Sequence, residues 1–185
     1  MGLILVRHTR PDVAEGLCYG QTDLGVADSF ADEAAAVLSA LPEVRRVVSS
    51  PLRRCRALAQ YIADAADLPL DIDGRLKEID FGSWEGRRWS EVPRQEFDAW
   101  AKNFLHARPH GGESVAMLRS RVGAALADWS ARNEPIVIVT HAGVIKVAST
   151  GDDDPVWDFT VPIGFGGIIA LPDADKDPAG RSKHD

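Results

Sequence analysis

The chain has 185 residues, 45% of them hydrophobic and 26% charged, which is enough for one globular domain with a sizeable buried core. Its net charge of −7 repels nucleic acid and anionic membranes, so we expect neither as a partner. The apolar segment at residues 1–6 is too short for a membrane span and lacks the basic start of a signal peptide, so we expect a cytoplasmic protein. Cys18 and Cys55 lack C-x-x-C spacing and predict neither a disulfide framework nor a zinc site.

Apolar runs and apolar periodicity predict alternating strands and helices. Buried strands are predicted at residues 3–6, 47–48, 136–139 and 167–171. Amphipathic helices are predicted over residues 34–41, 52–66 and 115–129. This alternation predicts a single-domain, three-layer α/β/α fold with a mostly parallel central sheet.

Two segments depart from this alternation. Residues 82–112 carry three tryptophans and two phenylalanines, and they predict a helical excursion over the sheet edge, its aromatic side chains forming core or a lid. Residues 172–185 are polar, and we expect them to form a mobile tail behind a domain that spans residues 1–171. Three consecutive aspartates at residues 152–154 are typical of a solvated acidic turn rather than a metal site.

Histidines follow two of the predicted strands. Arg7 and His8 come directly after the first strand, and His141 follows the strand at residues 136–139. Ligands of open α/β sheets bind outside the carboxyl ends of the strands, so these side chains are expected to share a site. Gly143 permits close backbone approach where a new helix begins. Either histidine alone is typical of a structural residue, but the pair predicts a functional site.

A third strand end supplies an anion site. Ser50 is predicted to cap a helix with Pro51 in its first position, so that backbone N–H groups and arginines face a ligand. Arg54 is expected to turn toward the two histidines, whereas Arg53 and Arg56 are expected to stay in solvent. Glu78 follows in a loop-like stretch, and it is the candidate acid for a leaving alkoxide.

Five motifs occur in the order found in the histidine phosphatase superfamily, the phosphoglycerate mutase-like group. They are Arg-His at residues 7–8, Ser-Pro-Leu-x-Arg at 50–54, Leu-x-Glu-x-x-Phe-Gly at 76–82, Gly-Gly-Glu-Ser at 111–114 and Thr-His-Ala-Gly-Val at 140–144. The chain resembles this superfamily over residues 3–171. The resemblance implies a phosphoglycerate mutase-like fold and a phosphatase of small phosphorylated metabolites.

The resemblance also implies a role for each site residue. His8 matches the nucleophile that becomes phosphohistidine, and Arg7, Arg54 and His141 match the residues that hold the phosphoryl group. Glu78 matches the general acid, later the base for water. No metal ion or other cofactor is implied, and positioned cations provide most of the catalysis of phosphoryl transfer.

Residues 8–11 and 18–24 are similar to α-ribazole-5′-phosphate phosphatases of the cobalamin pathway. This similarity makes α-ribazole 5′-phosphate a candidate substrate and Gln21 a candidate substrate-binding residue. The chain also departs from the family pattern, because Thr9, Pro11 and Ala14 replace the glycine and polar phosphate contacts of many relatives. The stretch after Val144 is also shorter than in relatives.

Three other functions are considered. A mutase would have to exclude water from the phosphorylated intermediate, normally with longer closing segments than this chain has. A metallohydrolase could use His8, His141 and Glu78 as ligands, but two neighbouring guanidiniums would repel a dication. A non-catalytic phosphate-ligand binding module would need neither the nucleophile nor the acid. Substrate identity stays open, as does the oligomeric state, for which a homodimer is one alternative.

Overall fold

Five strands form one sheet in the computed structural model, which describes residues 2–150 and 163–171. They are β1 (Leu3–Arg7), β2 (Arg46–Ser49), β3 (Leu70–Ile72), β4 (Ile136–Thr140) and β5 (Ile168–Ala170). The strand order is β3-β2-β4-β1-β5, and β5 alone runs antiparallel to its neighbour. The predicted mostly parallel sheet is therefore confirmed, while the half-exposed edge strand β3 was not predicted.

Helices cover both faces of the sheet. They are α1 (Phe30–Ala40), α2 (Arg53–Ala66), α3 (Arg94–Lys102), α4 (Val115–Ser130) and α5 (Ala142–Ser149). Successive strand residues point to opposite faces, so Ile4 and Val6 pack with α1 and α2, and Leu3 and Leu5 pack with α4 and α5. The three-layer α/β/α fold is confirmed. Among the described residues, no helix is long and apolar enough to cross a membrane.

The register of the parallel strands positions the two histidines. Arg7 of β1 lies opposite Thr140 of β4, and Ser49 of β2 lies opposite Val139. The carboxyl ends of these three strands therefore meet at one edge, and the residue after each strand emerges there.

Helix α2 begins later than the sequence predicts. Its N-cap is Leu52 rather than Ser50, and the N–H of Arg53 donates to the carboxylate of Asp23 at 2.7 Å. The Ser50 hydroxyl instead forms a hydrogen bond with His141, at 2.8 Å from the Nε2 of that ring. The predicted cap was wrong because a distant side chain takes its place.

The aromatic excursion is helical over about half of its length, in α3 and in short 3-10 turns at Gly82–Trp84 and Trp89–Glu91, and turns and loops form the rest. Trp84 is fully buried, and its indole Nε1 donates to Glu96 at 2.7 Å. Residues 152–154 and the tail at residues 172–185 lie outside the described residues.

Candidate active site

His8 and His141 lie together at the carboxyl edge of the sheet. Their ring centroids are 5.2 Å apart with an interplanar angle of 63°, and only 2% of His8 and none of His141 is exposed. The backbone N–H of His8 donates to the Thr140 carbonyl at 2.9 Å, which continues the β1–β4 ladder to the carboxyl edge of the sheet. The predicted meeting of the two histidines is thus observed.

A backbone contact fixes the tautomer of His8. Its Nδ1 lies 2.7 Å from the carbonyl oxygen of Thr9. Because a carbonyl only accepts hydrogen bonds, we assign the ring proton to Nδ1, which leaves the lone pair on Nε2. Burial, followed by the charge of Arg54, lowers the pKa of His8 to about 3. The ring is therefore neutral near pH 7 and able to act as a nucleophile.

Arg54 is fully buried beside this pair, as the sequence predicts. Its guanidinium donates to the carbonyls of Gly20 and Thr22 at 2.7 Å each, and it lies 3.3 Å from His141 Nδ1. The guanidinium carbon also sits 5.2 Å from the centre of the Tyr19 ring. Burying a permanent charge is costly without a partner, so a bound anion would be stabilised here.

Arg7 supplies a second cation from the end of β1. One of its terminal nitrogens donates to the Ile163 carbonyl, and its guanidinium carbon lies 4.0 Å from the centre of the Phe165 ring. The Nε atoms of Arg7 and Arg54 are buried, with no hydrogen-bond partner among the described residues. Such donors are normally satisfied, and phosphate oxygens would satisfy them. Arg53 and Arg56, in contrast, are exposed as predicted.

His141 carries its proton on the other ring nitrogen. Arg54 can only donate, so Nδ1 of His141 accepts and Nε2 donates to the Ser50 hydroxyl at 2.8 Å. Burial, then the neighbouring His8 and Arg54, holds the pKa of His141 well below 6.5. Ser50 is thus part of the site, which its position in the Ser-Pro-Leu-x-Arg motif signals without showing its contact.

The Glu78 carboxyl lies against the first turn of α5. Its two oxygens accept hydrogen bonds from the N–H groups of Ile79 at 3.0 Å and Gly143 at 3.1 Å. Burial raises the pKa of Glu78, while these hydrogen bonds and then Arg54 and Arg7 oppose the rise. A Cβ atom on Gly143 would collide with the Glu78 carboxyl, so glycine is required for this approach.

Arg121 and Glu113 hold the loop that carries Glu78, and sequence reasoning missed this pair. Two nitrogens of Arg121 donate to the Glu113 carboxylate at 2.7 Å each. The same guanidinium donates to three carbonyls of the loop: Arg75 at 2.6 Å, Lys77 at 2.7 Å and Glu78 at 2.9 Å. The Gly-Gly-Glu-Ser motif marks Glu113, but nothing in the sequence identifies Arg121 as its partner.

Gln21 lies beside the loop that carries the candidate acid Glu78, called the acid loop below. Its side-chain Nε2 donates to the Glu78 carbonyl at 3.1 Å, and its backbone N–H donates to Glu85 at 2.8 Å. A role in binding substrate stays a prediction.

Thr9, one of the departures from the family pattern, is fully buried, and its hydroxyl has no partner among the described residues. Within residues 2–150 and 163–171, no cluster of three or more His, Cys, Asp or Glu side chains could hold a metal ion.

Comparison with known proteins identifies the class. The family model described as histidine phosphatase superfamily (branch 1) matches residues 3–151. The chain is 31% identical over 158 residues to a glucosyl-3-phosphoglycerate phosphatase of Mycolicibacterium vanbaalenii, covering 77% of this chain and 70% of the relative. It is 29% identical over 184 residues to an adenosylcobalamin/alpha-ribazole phosphatase of Salmonella typhimurium, covering 92% and 91%.

A solved structure agrees with these matches. A mutant phosphoserine phosphatase from Entamoeba histolytica, in complex with phosphoserine, superposes with a TM-score of 0.81 at 26% identity, covering 91% of this chain and 89% of that one. The fold and its relatives define a phosphoric monoester hydrolase. The chain belongs to the histidine phosphatase superfamily.

Proposed function

We propose that the protein is a metal-independent phosphomonoesterase that hydrolyses a small phosphorylated metabolite through a phosphorylated His8. The hydrogen bond from His8 Nδ1 to the Thr9 carbonyl carries this proposal. It directs the remaining lone pair to Nε2, on a ring that burial and two arginines keep neutral. A histidine has to be neutral, with a free lone pair on one ring nitrogen, to act as a nucleophile.

In the first step, Nε2 of His8 attacks phosphorus and the bond from phosphorus to the ester oxygen breaks. The leaving oxygen takes a proton from Glu78, and the N–P bond of phosphohistidine forms. In the second step, Glu78 takes a proton from water, whose oxygen attacks phosphorus and releases inorganic phosphate and neutral His8. Arg7, Arg54 and His141 hold the equatorial oxygens, and this electrostatic stabilisation accounts for most of the rate of such reactions.

As the substrate we propose α-ribazole 5′-phosphate. Residues 8–11 and 18–24 support this choice, as does the similarity over 92% of the chain to a relative named adenosylcobalamin/alpha-ribazole phosphatase. A screen of phosphorylated metabolites that includes α-ribazole 5′-phosphate, phosphoserine and glucosyl-3-phosphoglycerate tests it. If another ester gave the highest kcat/KM, that ester would replace α-ribazole 5′-phosphate as the proposed substrate, and the proposed mechanism would stand. A homodimer and a cytoplasmic location stay predictions.

Rapid-quench trapping tests the nucleophile. With substrate labelled on phosphorus, the protein should acquire label in an acid-labile, alkali-stable form, as a phosphoramidate does, and His8→Ala should lose label and turnover. The matched control is His106→Ala, because His106 is exposed and should keep both. Normal turnover by His8→Ala would refute the mechanism. Phosphate returned to a second position of the alcohol would indicate a mutase, and tight binding without turnover would indicate a binding module.

A further inference from the structure

A cavity of about 430 Å³ lies beside the candidate active site. Four aromatic side chains line it: Trp89, Phe97 and Trp100 of the excursion, and Phe81 directly before the excursion. Its remaining wall includes Glu78 and the start of α5 at Ala142 and Gly143. Of the residues that line this cavity, Glu78 and Lys146 are the ones with ionisable side chains. The cavity is therefore chiefly an aromatic surface with the candidate acid in its wall.

The aromatic wall is packed but not covered. Phe81 and Trp89 meet edge to face at 5.2 Å and 88°, and the ring centres of Phe97 and Trp100 are 5.9 Å apart. Trp100 is buried, yet Trp89 is 38% exposed and Phe97 is 40% exposed. Large apolar side chains left open to water in one concave surface are typical of a binding site.

The position of Glu78 determines which part of a substrate reaches this surface. A general acid has to lie within hydrogen-bond distance of the ester oxygen that it protonates. The carbon atom bonded to that oxygen points away from phosphorus and therefore lies close to Glu78, in the wall of the cavity. His141 directly precedes the two α5 residues that line the cavity, so the phosphate site and the cavity share one stretch of backbone.

We infer that this cavity binds the alcohol part of the substrate and that this part carries a flat aromatic ring. The inference rests on the proposed phosphatase function and names the class of ester at the same site. An aromatic ring can pack edge to face or offset against four such side chains. A leaving group rich in hydroxyls would lose hydration here and find few polar partners in return.

Two esters with similar leaving alcohols test this inference. 2-Phenylethyl phosphate and ethyl phosphate release alcohols of similar acidity, so a difference in kcat/KM reports binding of the ring rather than bond cleavage. We expect kcat/KM to be at least about tenfold higher for the phenylethyl ester, since burying a ring removes considerable apolar area from water. 2-Cyclohexylethyl phosphate carries a ring that is apolar but not flat or aromatic. If its kcat/KM equalled that of the phenylethyl ester, the assignment of an aromatic ring would be overturned.

Variants locate the effect in the cavity. Trp89→Ala and Phe97→Ala should each reduce the phenylethyl-to-ethyl ratio several-fold, and calorimetry should show weaker binding of 2-phenylethyl phosphonate. Met117→Ala is the matched control, because Met117 is also a large exposed apolar residue, 47% exposed, and does not line the cavity. If the phenylethyl-to-ethyl ratio were unchanged in both variants, the inference about the cavity would be overturned. The proposed phosphatase function would still be supported if phosphohistidine formed. Absence of turnover and of phosphohistidine with both esters would overturn both.

Discussion

His8 and His141 carry their single protons on different ring nitrogens, because their hydrogen-bond partners differ. The Thr9 carbonyl requires a proton on Nδ1 of His8, and the Arg54 donor requires a lone pair on Nδ1 of His141. Two neutral imidazoles at 5.2 Å also avoid the repulsion that two charged rings would create beside Arg54. The proposed nucleophile, His8, and the proposed phosphate-holding residue, His141, thus differ in tautomer because of one backbone contact and one side-chain contact.

The low pKa values of the two histidines predict a loss of stability in acid. Folding lowers the pKa of His8 to about 3 and that of His141 well below 6.5, so between about pH 6.5 and 3 the unfolded chain binds more protons. The stability is fully present above pH 6.5 and is lost as the pH falls through this window. At pH 5, His8 should account for about 2 kcal/mol of the loss.

Urea unfolding at pH 7.5 and pH 5 measures this effect. His8→Ala should lose less free energy of unfolding between these pH values than the wild type, by about 2 kcal/mol. His106→Ala, at an exposed position, should lose as much as the wild type. Identical losses in all three proteins would show that folding does not lower the pKa of His8.

The proposed role of Glu78 as general acid predicts that activity depends on the leaving group. An alkoxide needs a proton to leave and p-nitrophenolate largely does not, so Glu78→Gln should lower kcat/KM for alkyl phosphates by about 10²–10⁴-fold more than for p-nitrophenyl phosphate. The comparison uses kcat/KM because that constant reports the first step. Small and equal losses for both substrates would exclude Glu78 as the acid, and Asp80 would then be the nearest substitute.

The start of α5 is close enough to Glu78 to test the position of the acid without removing it. Gly143→Ala places a Cβ atom against the Glu78 carboxyl and should displace it. We expect kcat/KM for ethyl phosphate to fall about tenfold or more, with a smaller loss for p-nitrophenyl phosphate. Gly123→Ala is the control, since a Cβ atom on this α4 residue meets nothing within 4 Å. Equal activity of both variants would show that the acid tolerates displacement.

Helix α4 acts on the acid loop through Arg121. Arg121→Met removes the guanidinium that donates to the Glu113 carboxylate and to three loop carbonyls, which should lower the free energy of unfolding by about 1.5–3 kcal/mol. It should also lower kcat/KM for alkyl phosphates more than for p-nitrophenyl phosphate, because Glu78 loses its fixed position. Arg121→Lys should restore part of the activity.

A surface ion pair provides the control for Arg121. Arg94 pairs with Asp98 on α3 at 3.0 Å and is 88% exposed, so Arg94→Met should change stability by at most a few tenths of a kcal/mol. If Arg121→Met lowered stability but left the difference between alkyl and p-nitrophenyl esters unchanged, Arg121 would be a structural residue only.

Elements with strong apolar patterns were predictable from the sequence, and those that depend on distant contacts were not. The apolar runs of β1 and β4 predicted both strands, and the ends of these runs predicted the edge of the sheet where His8 and His141 meet. The three residues of β3 contain one aspartate and no long apolar run, so neighbouring β2 determines that strand. The start of α2 depends on Asp23, thirty residues earlier, and no local pattern contains that information.

The charge of the whole molecule contrasts with the charge of its site. The chain carries a net charge of −7, yet Arg7 and Arg54 lie beside His8 with two buried nitrogens that lack partners among the described residues. The arginines therefore have to provide locally the attraction that the overall field opposes. A phosphate dianion should therefore be drawn to this site, and added salt should weaken the opposing general field.

If these arginines neutralise the phosphoryl oxygens, no metal ion is needed. Activity should survive exhaustive dialysis against a chelator, and vanadate should inhibit because it resembles the five-coordinate transition state. Steady-state rates before and after dialysis test this prediction. Activity lost in chelator and restored by zinc or magnesium would favour the metallohydrolase.

The position of β1 in the sheet, between β4 and β5, affects the order in which the chain folds. Leu3 pairs with Ile136 of β4, and Leu5 pairs with Ile169 of β5. Of the five strands, β1 is synthesised before the others, and its two neighbours, β4 and β5, are synthesised after β2 and β3. At about 5–20 residues per second, ribosomal synthesis leaves its apolar residues unpaired for roughly ten seconds or more before β4 emerges. Pairing across such sequence separations is slow to form, so chaperone capture or aggregation through β1 is the main hazard for the nascent chain.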